Sequence, residues 1–111
     1  MFCNIARKES PANIRYEDDD LIVFDNILRW VPIMLLVIPK EHHTQQEFWS
    51  TPLLHTAGKI AVEMGKKYSP DGFRILANFG WQAMQSQEHG HIHVVGGTHL
   101  GEYVRRSSSM W

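Results

Sequence analysis

A chain of 111 residues, 43% hydrophobic and 21% charged, has the length and composition of one globular domain with a limited core. Its formal net charge of −1 argues against a protein that coats nucleic acid, but not against one that holds a small anion locally. Cys3 is the single cysteine, so neither an intramolecular disulfide nor a cysteine-rich structural zinc site can form.

No basic stretch followed by an apolar one opens the chain, and the longest apolar run, Val31 to Pro39, is too short to span a bilayer. The expectation is a cytoplasmic protein with no membrane or nucleic-acid partner. Ile14 to Asp25 reads as a β-hairpin whose turn, Asp18-Asp19-Asp20, keeps like charges in solvent. Ile33 to Ile38 is a continuous apolar run ended by Pro39, the pattern of a strand covered on both faces. Ser50-Thr51-Pro52 predicts a helix start, with a capping hydroxyl and then proline in the first turn. Leu53, Leu54, Ala57, Ile60, Ala61 and Met64 follow at helical spacing, and Ser69-Pro70-Asp71-Gly72 ends the helix. Phe73 to Phe79 predicts a fourth strand and His91 to Val95 a fifth. The fold class is therefore α+β: a five-stranded antiparallel sheet with one main helix. Residues 1–104 form a single domain, and 105–111, with Arg105-Arg106 and three serines, read as a tail.

His89, His91 and His93 carry the chemistry. In a strand, residues two apart share a face, so three imidazoles would line one wall while Gly90, Ile92 and Val94 point the other way. Imidazoles titrate near neutral pH and repel one another when charged, so such a wall suits metal ligation, or nucleophilic and acid–base work. Composition leaves these open.

His-x-His-x-His followed by two apolar residues and Gly96-Gly97 resembles the signature of the histidine triad (HIT) family of nucleotide hydrolases and transferases. Phe2-Cys3-Asn4-Ile5, Ile14-Arg15-Tyr16-Glu17-Asp18, Phe24, Val37-Ile38-Pro39-Lys40-Glu41-His42, Asn78 and Gln85-Ser86 fall in that family's order, so the resemblance covers about residues 2 to 97. It implies a short N-terminal helix and a homodimer that joins two sheets. It implies attack by His91 on a nucleotide α-phosphate, giving a nucleotidyl-histidine, with His89 and His93 flanking the phosphate and supplying positive charge when partly protonated. Ser86 matches the hydroxyl that meets the leaving group. Asn78 and Gln85 match the phosphate and leaving-group side. Phe2, Ile5, Phe24 and Ile27 match an apolar slot for a purine, and Asn26 matches the ribose-binding residue. No cofactor and no metal are implied.

Three residues depart from the family pattern. Met34 stands where a further histidine is usual, two residues after Pro32, and a thioether cannot relay a proton. Met84 replaces glycine ahead of Gln85-Ser86, which narrows the leaving-group side. Gly90 replaces an apolar residue between two histidines, an exchange expected to loosen the backbone of His91. The branch resembled most closely is the short phosphoramidase-like one. Dinucleoside polyphosphate hydrolysis, a nucleotide-binding protein with weak catalysis and a metal-dependent hydrolase stand as alternatives.

Overall fold

A computed structural model describes residues 2–6, 12–27, 30–85 and 87–102. Ser86, the 105–111 tail and the side chain of Cys3 lie outside the described residues. The element order is α1 (Phe2–Ala6), β1 (Ile14–Glu17), β2 (Leu21–Asp25), β3 (Ile33–Pro39), α2 (Gln45–Trp49), α3 (Leu53–Tyr68), β4 (Phe73–Leu76), a 3₁₀ turn (Trp81–Ala83) and β5 (Ile92–Gly96). The five strands form one sheet in the order β1-β2-β3-β5-β4, each neighbouring pair antiparallel. No helix among the described residues is long and apolar enough to cross a membrane.

The unbroken apolar runs of β2 and β3 have a physical cause: both faces of these strands are buried. On one face Leu21, Val23, Leu35, Val37, Ile92 and Val94 meet the α3 stripe of Ala57, Ile60, Ala61 and Met64. On the other, Ile22, Phe24, Leu36 and Ile38 meet Phe2, Ile5 and Ala6 of α1. Period-two alternation thus divides each strand between two cores. Leu36 pairs with His93 across β3 and β5, so His93 belongs to the α1 side.

Two expectations need correction, and one helix goes beyond them. Strand β4 ends at Leu76, not Phe79, because its partner β5 begins only at Ile92 and nothing continues the ladder. The hydroxyls before α3 do not cap it: the N-cap is Pro52, while Ser50 and Thr51 donate backward to the carbonyls of Gln46 and Phe48 at the end of α2. Helix α2 was not foreseen, although Thr44-x-x-Glu47 is a capping-box pattern and both its hydrogen bonds form.

Candidate active site

The three histidines do not lie in one regular strand. Only His93 is in β5, and His89 makes an isolated bridge to Thr44. The ladder breaks because the backbone N–H groups find other acceptors. Gly90 donates to the His43 carbonyl at 2.6 Å, and His91 donates to Gln45 Oε1 at 2.8 Å. The segment from His43 to Gln45 therefore braces the chain that carries His89 and His91.

The rings still converge. His91 meets His93 edge to face at 5.0 Å, and His42 meets His89 at 5.1 Å. Phe2 lies edge-on to His91 at 5.3 Å and to His89 at 6.2 Å. The hydrogen bonds assign the tautomers, because a carbonyl can only accept. His89 Nε2 lies 2.7 Å from the Pro39 carbonyl, so Nε2 carries hydrogen. His91 Nδ1 lies 2.8 Å from the His89 carbonyl, so Nδ1 carries hydrogen and Nε2 keeps its lone pair.

Burial favours the uncharged form of these rings. It pushes His89 and His91 below the ordinary histidine value, and the carbonyl contacts oppose the shift only in part. His93 is pushed down to about 4 by burial and by the neighbouring His91. The shifts all run against the positive wall expected from the sequence, most strongly at His93.

Beside the triad, Ile5, Ala12, Asn13, Phe24, Asp25, Asn26 and Ile27 line a cavity of about 250 Å³. Four of the five residues matched to a nucleoside slot are thus brought together. The fifth, Phe2, does not line the cavity but packs against Phe24 at 5.6 Å, linking slot to triad. Asn13 and Asp25 escaped the sequence reading. Asp25 accepts hydrogen bonds from Asn13 at 2.5 Å and from the Arg15 guanidinium at 3.0 and 3.1 Å, which fixes its carboxylate at the cavity wall. Asn78 is half-buried beyond the end of β4. Gln85 instead staples its own loop, accepting from the Gly80 N–H at 2.7 Å and donating to the Gln87 carbonyl at 3.0 Å.

The sequence matches the HIT domain family over residues 7–100. The chain belongs to the HIT family. It is 38% identical over 102 residues to Protein HitA of Neisseria gonorrhoeae, covering 86% of this chain and 94% of that one. It is 33% identical over 109 residues to a 14 kDa zinc-binding protein of Brassica juncea, covering 90% and 94%. A solved HIT family hydrolase from Clostridium thermocellum superposes with a TM-score of 0.84 at 30% identity, covering 94% of this chain and 95% of that one.

Against the HIT pattern, the departures acquire physical form. Met34 is buried on the face shared with His93, two pairs along the ladder, and its thioether accepts the Trp30 N–H at 3.0 Å. Met84 keeps the left-handed backbone of a glycine, with φ of 60° and its side chain in solvent. Gly90 does not loosen the HIT triad. It is buried, hydrogen-bonded to His43, and so close to α2 that a Cβ would stand 2.5 Å from Phe48 Cβ. Gln45, the buried partner of the His91 N–H, also escaped the sequence reading. The signal available was the Thr44 capping box, which makes Gln45 the first residue of α2.

Proposed function

We propose that this protein is a nucleotide hydrolase or transferase acting at the α-phosphate of a purine nucleoside phosphoramidate or phosphoanhydride. The covalent intermediate is a nucleotidyl-His91. The observation that carries this reading is the tautomer of His91: Nδ1–H is held by the His89 carbonyl, so the Nε2 lone pair is available in an uncharged ring. Nε2 attacks the α-phosphorus, and an N–P bond forms as the bond to the leaving nitrogen or oxygen breaks. The leaving group departs with the electron pair and takes the proton that His93 acquires when the substrate phosphate binds. Water then attacks the phosphorus, the N–P bond breaks, and the nucleoside monophosphate is released. Ile5, Phe24, Ile27 and Asn26 hold the nucleoside in the cavity they line, with Phe2 packed behind Phe24. Asn78 meets the phosphate, and Ser86 supplies a hydroxyl to the leaving group.

His93 is neutral in the free protein, so it is not a standing proton reservoir. A phosphate anion held beside it favours the imidazolium, and substrate binding thereby supplies the driving force to charge it. The protein works as a homodimer, a reading supported by the exposed Ile75 on edge strand β4.

A zinc-binding relative makes metal dependence worth testing. The donor set does not favour a metal on the triad: His89 Nε2 and His91 Nδ1 face the carbonyls of Pro39 and His89 at 2.7 and 2.8 Å. Incubation with an adenosine 5′-phosphoramidate, acid-free digestion and mass spectrometry test the proposal. The expected result is an added nucleotidyl group on His91, no adduct in His91→Asn, and unchanged turnover after exhaustive chelation. An adduct elsewhere, or activity lost and restored with zinc, would refute the reading.

A further inference from the structure

We propose that Gln45 is a positioning residue that sets His91 against the loop bearing Asn78. The inference rests on the reading of His91 as nucleophile. Gln45 is 2% exposed, yet its carboxamide joins two separate chain segments. Oε1 accepts the His91 N–H at 2.8 Å, and Nε2 donates to the Asn78 carbonyl at 3.3 Å. The side chain cannot drift, because Gln45 opens α2 directly after the Thr44–Glu47 capping box. Thr44 is in turn bridged to His89, and the His43 carbonyl holds the Gly90 N–H at 2.6 Å.

Space alone does not call for an amide here. An apolar side chain of the same length would fill the site without the cost of burying a carboxamide, but it would leave the His91 N–H and Asn78 carbonyl unpartnered. What the amide adds is direction. Both its ends are occupied, so the separation between the nucleophile's backbone and the start of the 78–85 loop is defined by one rigid group. No sheet ladder does this, because β4 stops at Leu76 and β5 starts at Ile92. The neighbouring N–H of Gly90 is held by main chain; that of His91 is held by a side chain, and so by a residue choice. Attack on phosphorus depends steeply on this placement, and an error of about 1 Å costs about 10²-fold in rate.

The test compares wild type, Gln45→Met and Gln45→Glu in the whole chain. Single-turnover formation of the His91 adduct from adenosine 5′-phosphoramidate is measured beside the affinity for adenosine 5′-monophosphate. Gln45→Met keeps length and loses both hydrogen bonds, and adduct formation falls about 10²-fold. Its affinity for the monophosphate falls far less, by no more than about tenfold, because Asn78 shifts at the phosphate while the cavity around Phe24 and Asn26 is untouched. Gln45→Glu keeps an acceptor for the His91 N–H but loses the donor to the Asn78 carbonyl, so it recovers only part of the rate. Wild-type adduct formation in a folded Gln45→Met, or a parallel fall in affinity and rate, overturns the proposal. So does unfolding of both variants, which makes Gln45 a structural residue only. If wild type forms no adduct on His91, the functional reading fails first and this outcome is recognised by that arm alone.

Discussion

Gly90→Ala is the most demanding perturbation of the site because it adds one methyl group and leaves all three histidines in place. Gly90 does not have a positive φ, so alanine meets no backbone penalty of that kind. The obstacle is space: the added Cβ would lie 2.5 Å from Phe48 Cβ and 3.0 Å from Cγ and Cδ2. The nearest atom is attached to the α2 backbone, so no rotamer of Phe48 relieves the contact. Either α2 or the 89–91 segment must move. Overpacking of this kind costs about 1–3 kcal/mol, and a contact with a helix-anchored atom belongs near the top of that range. For a domain of this size a loss of about 2–3 kcal/mol lowers Tm by roughly 8–12 °C. The movement also strains the Gly90 N–H bond to His43 and the His91 N–H bond to Gln45, so adduct formation falls about 10²-fold. Thermal denaturation and single-turnover adduct formation read the two effects. Phe48→Leu retains the offending Cβ, so it does not rescue Gly90→Ala. A Gly90→Ala protein that melts within about 2 °C of wild type and forms the adduct at the wild-type rate would refute the reasoning.

All three triad histidines lie below their ordinary value of 6.5 in the fold. Their contribution to stability is therefore complete above that value and lost as pH falls towards about 4 for His93. Melting followed against pH should show this slope, and His93→Asn should flatten it; an unchanged slope would mean that His93 is accessible to protons in the fold. By the same depression, the acid limb of kcat/KM lies below pH 6.5, and a limb above it would show a charged His91 in the free protein. Met84→Gly relieves a left-handed non-glycine residue without loss of packing and raises stability by about 1 kcal/mol, or roughly 4 °C in Tm, whereas a lower Tm would reveal a contact for Met84. Met34→His changes the shape of the pH–rate profile for phosphoramidates and raises the rate by about tenfold, less than a full proton relay contributes; an identical profile in a folded, nucleotide-binding variant would make Met34 a packing residue only.

The parts of the fold legible in the sequence were those fixed by burial. The runs Leu21–Phe24 and Ile33–Ile38 read as strands because both faces are covered, and the α3 stripe read as a helix because one face is. What could not be read was set by non-local hydrogen bonds. The histidine spacing predicts a strand wall, yet Gly90 and His91 give their N–H groups to His43 and Gln45, some 46 residues away in sequence for the latter pair. The same rule hid the end of β4, where the Asn78 carbonyl turns to Gln45. Asp25 and Asn13 were passed over because neither has a distinctive spacing; only the fold brings Arg15 onto Asp25.

Met34 and the neutral triad are best understood together. Met34 lies on the face of His93, buried, with its sulfur engaged by the Trp30 N–H. An imidazole there would add another group able to share a proton with His93, and coupled rings would hold one proton between them at a higher pH than either alone. A thioether offers no such partner. His93 is then left with burial and the neighbouring ring of His91, and these two lower its affinity for a proton. The charge that can reverse this is the anion of a bound substrate. Protonation of His93 and occupation of the phosphate site are therefore linked, and nucleotide affinity should rise as pH falls from 7 towards about 5. Titration calorimetry in buffers of different ionisation enthalpy reads the coupled proton directly. Uptake on binding supports the linkage, and its loss in His93→Asn assigns it. Binding of adenosine 5′-monophosphate with no proton uptake across this range would show that His93 stays neutral beside the phosphate, and would transfer the protonation of the leaving group to water.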